Sequence, residues 1–119
     1  MSLINEQVIF LADVCRLIEF VQQNGFMVTG GELYRTEEQQ KIYEQQGKAQ
    51  PGCWNSHNAR LAIDLNFFKM VNDKPELTYN KKELQIIGDY WESLDPINKW
   101  GGNWKPLVDT PHFERRISH

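Results

Sequence analysis

Two short stretches of the chain hold side chains that can bind a metal ion or move a proton. The first is NSHNARLAIDLN, residues 55–66, with His57 and Asp64 set in what otherwise reads as the approach to a buried strand. Charge inside a core strand needs a partner or a task. Alternation along 61–68 puts Ala62, Asp64 and Asn66 on one face and Leu61, Ile63 and Leu65 on the other, so Asp64 points away from the apolar layer. His57 lies in the loop that feeds this strand, where a residue can fold back over the strand's polar face. The second stretch is DTPHFE, residues 109–114, with Asp109 three positions before His112. A flat strand would send these two to opposite sides. Pro111 and the loop before it allow a bend that turns both toward one cleft.

Two imidazoles and one carboxylate are a ligand set for catalytic zinc, and three protein ligands leave a fourth position for water. A carboxylate outside the ligand set can then take the proton from that water. The candidates are His57, Asp64 and His112 as ligands and Asp109 as the base. Plainer readings stand beside these: His57 as a loop histidine, Asp64 as a strand-end aspartate bonded to backbone amides. Spacing alone leaves both open. Of the chain's 3 histidines, two fall in these motifs, and His119 at the terminus reads as solvated.

The elements that must position these groups are legible from periodicity. Residues 5–24 read as a helix, with Leu11, Val14, Cys15, Ile18 and Val21 at helical spacing and Gly25 as its stop. FMVTGGELYR, 26–35, reads as a strand with a glycine-softened middle, a bulge being expected at Gly30 and Gly31. TEEQQKIYEQQ, 36–46, is a second helix, opened by Thr36 and Gln39 in a capping-box pattern. Residues 47–58 read as loop, RLAIDLNFFKM (60–70) as the best strand, and NDKPELTYN (72–80) as a turn region. KKELQIIGDYWESL, 81–94, is the third helix, with Leu84, Ile87, Trp91 and Leu94 on one face. The remainder reads as loop followed by a short terminal strand. Without a regular β-α-β alternation, the order points to an α+β fold with an antiparallel sheet.

Composition bounds the rest. At 119 residues the chain is long enough for one domain with one core and too short for two. Apolar residues make up 40% and charged residues 24%, the balance of an ordinary soluble globular protein. A net charge of -3 and the lack of a basic run argue against a nucleic-acid partner. The apolar stretch at the N-terminus is interrupted by Asp13, Arg16 and Glu19, so stable membrane insertion is not expected. It also lacks a basic leader and a cleavage pattern, so the expected location is the cytosol, with Cys15 and Cys53 as reduced thiols. Cys15, on the apolar helix face, reads as core.

Taken together, NSHNARLAIDLN, KWGGNW and DTPHFE resemble the zinc peptidases of the VanY-like D-alanyl-D-alanine carboxypeptidase and phage endolysin L-alanyl-D-glutamate peptidase group. GELYRTEEQQ is similar to the group's arginine segment, and the likeness runs from about Gly25 to Glu114. It implies zinc bound by His57, Asp64 and His112, with Asp109 as the general base that later protonates the leaving amine. It implies that Arg35 binds the substrate carbonyl or carboxylate and stabilises the oxyanion. The fold it implies is that shared with hedgehog signalling domains, a small antiparallel sheet with helices packed against it. Trp100, Gly101, Gly102 and Trp104 read as one wall of the substrate groove, a rigid turn over the core being the plainer reading; Trp54, as a lid or as packing, and Ser56 are also expected there, and Glu114 is given no catalytic role. Two positions depart from the hallmark: Asn55 replaces a serine, with Ser56 one place late, and Arg60 replaces a glycine. The expected substrates are peptidoglycan stem peptides, cut by a lysin of phage or prophage origin that waits in the cytosol for release to the wall. A D,D-carboxypeptidase and a non-catalytic zinc-stabilised binding module are the alternatives; an intact Asp109 argues against the second.

Overall fold

The structure, a computed structural model, describes residues 2–48 and 56–117. Helix α1 (Leu3–Gln23) starts at Ser2, whose side chain accepts from the Asn5 N–H at 3.2 Å. It ends where Gly25 takes a left-handed φ of 83°. Phe10, Val14, Leu17 and Val21 form its buried face. That stripe is rotated from the expected one: Leu11 and Cys15 are exposed, because Phe10 and Leu17 complete the i, i+4, i+7, i+11 face. Cys15 is therefore a surface thiol. Cys53 lies outside the described residues.

Strand β1 (Met27–Gly30) is shorter than the stretch expected to extend, and residues 31–36 continue as irregular extended chain. Helix α2 (Glu37–Gln45) is capped by Thr36, whose hydroxyl accepts from the Gln39 N–H at 3.0 Å. A single 3-10 turn, Ser56–Ala59, leads into β2 (Ala62–Val71). Strand β3 (Lys74–Thr78) falls in the stretch expected to be a turn region. Asn72 and Asp73 at φ 50° and 63° make a two-residue hairpin turn, and Pro75 is tolerated because β3 is an edge strand. Helix α3 (Lys81–Leu94) is capped by Asn80. Strand β4 (Asn98–Trp100), which had read as loop, precedes a 3-10 turn at Gly101–Asn103, and β5 (His112–Arg115) is the expected terminal strand.

All the strand pairs are antiparallel, in the order β1-β2-β5-β4, with β3 also on β2. Strand β2 is the hub: β5 pairs with Ala62–Asp64, β1 with Leu65–Phe68 and β3 with Phe67–Val71. Helices α1 and α3 bury Phe10, Leu17, Leu84, Ile87 and Trp91 against Leu65, Phe67 and Phe113 of the sheet. The Trp91 indole N–H donates to the Glu114 carbonyl at 3.1 Å and the Lys99 carbonyl at 3.2 Å, tying α3 to β5 and β4. Buried Arg115 donates to Glu6 of α1 at 2.6 Å and to Asp95 at 2.8 Å, anchoring β5 from behind. The fold is α+β, as expected. Among the described residues no helix is long and apolar enough to cross a membrane.

Candidate metal centre and active site

The antiparallel register sets Asp64 of β2 directly opposite His112 of β5. Opposed residues of such a pair face the same way with their Cβ atoms about 5 Å apart. His112 Nδ1 lies 3.5 Å from Asp64 Oδ1, while His112 Nε2 is 2.7 Å from Glu114 Oε1. Glu114 is two residues along the strand and so on the same face. The sheet therefore fixes one imidazole and one carboxylate by register alone.

The second imidazole arrives on irregular chain, and residues 31–35 hold it there. The Gly31 N–H donates to the Asp64 carbonyl at 2.7 Å and the Asp64 N–H to the Glu32 carbonyl at 2.9 Å, extending the ladder past β1. The next carbonyl, Leu33, lies 2.9 Å from His57 Nδ1. The Arg35 N–H donates to the His57 carbonyl at 3.2 Å, and the Asn58 side-chain amide donates to the Arg35 carbonyl at 2.7 Å. Arg60, where the hallmark has glycine, sits at φ 58°, the left-handed conformation that glycine adopts without strain. Its guanidinium stacks 4.1 Å from the Tyr34 ring centre.

A carbonyl and a carboxylate only accept hydrogen bonds. In the neutral form of each ring the hydrogen therefore sits on His57 Nδ1 and on His112 Nε2, which leaves His57 Nε2 and His112 Nδ1 facing Asp64. Both approach Asp64 Oδ1 at 3.5 Å, too far for a good hydrogen bond. That oxygen is buried and has no hydrogen-bond partner. The three ligand atoms lie within 4.8 Å of one another. A buried orphan oxygen between two imidazole nitrogens is what a bound divalent cation would complete, so the donor set fits a metal.

The electrostatics agree. Burial would raise the Asp64 carboxyl, but the His112 and His57 imidazoles hold it far below the usual carboxylate range. Burial would lower His112, yet the Asp64 and Glu114 carboxylates raise it from 6.5 to about 9. Burial likewise opposes ionisation of Glu114, and His112 and Arg116 outweigh it, leaving that carboxyl below its ordinary value. Asp109 is raised, chiefly by burial, with Asp64 adding and the two imidazoles and Arg35 opposing. It is thus a stronger base than an ordinary aspartate.

Asp109 reaches this centre through a closed turn. The His112 N–H donates to its carbonyl at 3.1 Å, and its own N–H donates to the Gly101 carbonyl at 2.9 Å. A Cβ at Gly101 would collide with the Asp109 carbonyl and press on His112, so glycine there lets the turn close. Arg35 Nε donates to Glu32 at 2.7 Å and its Nη1 to Gln40 at 2.8 Å, with Tyr43 under the guanidinium at 4.7 Å.

The residues expected around the groove fall differently. Trp100 is wholly buried, with its indole N–H on the Thr110 carbonyl at 2.8 Å. It supports the Asp109–His112 turn from the core and offers no wall to a substrate. Gly101 is buried beneath the same turn, and Ser56 is buried at the head of the 3-10 turn, its carbonyl accepting from Leu61. Trp54 lies outside the described residues. Of the expected wall, Trp104 is the part that borders the centre: half-buried, its ring lies 4.8 Å from that of His112. Sequence reasoning also passed over Glu32 and Glu114. For Glu114 the signal was present: strand alternation from His112 places it on the ligand's own face.

On an α+β fold, three side chains that could hold a metal ion narrow the class to candidate metalloenzymes. Residues 48–115, more than half of the chain, match the peptidase M15 family described as D-alanyl-D-alanine carboxypeptidase, and the chain belongs to that family. Among solved structures it is similar to the L-Ala D-Glu endopeptidase ChiX of Serratia marcescens. The TM-score is 0.66 at 20% identity, over 88% of this chain and 79% of that one.

Proposed function

We propose that this peptidase acts on peptidoglycan stem peptides, with zinc as its metal and the bond between L-alanine and D-glutamate as its target. The observation that carries the reading is the orphan Asp64 Oδ1 flanked by two imidazoles already turned to bind, in a chain of the M15 family. His57 Nε2, Asp64 Oδ1 and His112 Nδ1 would hold the ion. Bound there, zinc supplies Lewis acidity to a carbonyl and acidifies a water.

The chain's own groups do the rest. Asp109, its basicity raised by burial, accepts the proton of the attacking water and returns it to the departing amine. Arg35, held by Glu32, Gln40 and Tyr43, would offer its charge to the developing oxyanion. The likeness to an L-Ala D-Glu endopeptidase favours an endopeptidase. The family's description keeps removal of terminal D-alanine as the second reading.

Digestion of purified peptidoglycan by the zinc-loaded protein, with and without chelator and read by mass spectrometry, tests this. New termini between L-alanine and D-glutamate, abolished by chelator, are expected. Loss of one terminal D-alanine would move the assignment to the carboxypeptidase. Absence of any product from several wall types, with zinc bound, would favour a non-catalytic module.

A further inference from the structure

We propose that Glu114 is a positioning residue of the metal centre, holding the His112 ring so that Nδ1 is its ligand atom. This rests on the metal reading above and goes beyond the ligand set. Glu114 has a side-chain exposure of only 6%, and a buried carboxylate is costly unless it is paired. Both of its oxygens are committed. Oε1 meets His112 Nε2 at 2.7 Å, and Oε2 accepts from Arg116 Nε at 2.8 Å. Arg116 also lies 5.8 Å from the Trp104 ring centre, and the Trp104 ring lies 4.8 Å from the His112 ring. The four side chains close a circuit around one imidazole: Glu114 at its edge, Trp104 beside it, Arg116 joining the two.

The circuit has a direct consequence for binding. An imidazole free to turn could offer either nitrogen to the ion. Glu114 takes the Nε2 hydrogen and so fixes the tautomer and the ring orientation, and its charge strengthens Nδ1 as a donor. A purely structural role in β5 would be met as well by an apolar side chain, since neighbouring Phe113 already fills the core.

The test uses the full-length protein and zinc alone. Zinc dissociation constants are measured by chelator competition for the wild type, Glu114→Gln and Glu114→Ala, and visible spectra are recorded for the cobalt-substituted forms. Glu114→Gln is nearly isosteric and keeps an acceptor without the charge, so it remains informative if Glu114→Ala fails to fold. Alanine is expected to weaken zinc binding about 10- to 100-fold and glutamine by a smaller factor. The cobalt bands should shift in both variants. At high pH, where the His112 ring is neutral, nitrogen NMR of the metal-free wild type should show its hydrogen on Nε2, and that preference should relax in Glu114→Ala. A folded Glu114→Gln with wild-type zinc affinity and an unshifted cobalt spectrum would overturn the proposal. A wild type that binds zinc tightly but cuts no stem peptide would sink the peptidase reading, while weaker zinc binding by the Glu114 variants would still support the role of Glu114. A wild type that binds no zinc would overturn both.

Discussion

His112 stands on β5, in register with Asp64, with its far nitrogen on a buried carboxylate. His57 stands on a single 3-10 turn outside the sheet, with its far nitrogen on the backbone carbonyl of Leu33. One half of the centre is built from a strand ladder, a charge and a core anchor at Arg115. The other is built from irregular chain stitched to β2 by backbone hydrogen bonds. At His57 the acceptor is a carbonyl, with the Glu32 carboxylate 3.8 Å from the same nitrogen and beyond hydrogen-bond reach, whereas at His112 the carboxylate is itself the acceptor and raises basicity directly. Two ligands of one residue type are therefore tuned differently, and the halves should fail differently.

The largest effects fall on the chemistry that both halves serve. His57→Ala and His112→Ala should each lose metal and activity together. Asp109→Asn should lower turnover by about 100- to 10,000-fold and leave zinc content unchanged, as read by metal analysis beside a peptidoglycan assay. An active Asp109→Asn enzyme would remove that residue from the mechanism. Next comes the anchor of the strand half. Arg115→Met leaves Glu6 and Asp95 without their buried partner and should lower unfolding free energy by about 3–5 kcal/mol in denaturant titration. A loss below about 1 kcal/mol would show that β5 does not depend on this ion pair.

A pH titration separates the halves without mutation. In the metal-free protein His112 is raised from 6.5 to about 9. A raised folded value means that its stabilising contribution is complete below about pH 6.5 and is lost as pH rises through about 9. Melting temperature of the metal-free wild type should therefore fall across that window, and by less in His112→Gln. Zinc binding at neutral pH should also release a proton from His112, seen by calorimetry in buffers of different ionisation enthalpy. Equal pH profiles for wild type and His112→Gln would contradict this. The smallest effect belongs to the irregular half. Thr36→Ala removes the cap of α2, which carries Gln40 against Arg35, and should cost about 1 kcal/mol. A modest fall in turnover with zinc affinity unchanged should accompany it.

The same division explains what was legible in the sequence. Helices α2 and α3 were readable because Thr36 and Asn80 cap them with side chains of known geometry. In α1 the period was right and the phase was off by one residue, since Leu11 and Leu17 are equally apolar and only packing against α3 and the sheet selects Leu17. Strand β3 was missed because Asn72 and Asp73 lie between exposed residues that carry no alternation. Strand β4 is three residues long, and its pairing with β5 is set by tertiary contact. At the centre, the ligand candidates followed from residue type and from Asp64's place on the polar face. The reach of His57 did not, because it depends on Gly31, Glu32, Leu33 and Arg35, which bond through their backbones. Trp100 takes the plainer of its two readings, a turn packed over the core: Gly102 and Gly88 of α3 leave the room that its ring fills, while Gly101 makes way for the Asp109 carbonyl.

The most direct test is a crystal structure of the zinc-loaded protein with the ion located by its anomalous signal. One ion is expected, bound by His57 Nε2, Asp64 Oδ1 and His112 Nδ1, with Glu114 still on His112 Nε2 and Asp109 outside the ligand set. An ion bound through His112 Nε2 with Glu114 displaced, or an ion at another set of residues, would contradict the account of how the two halves meet.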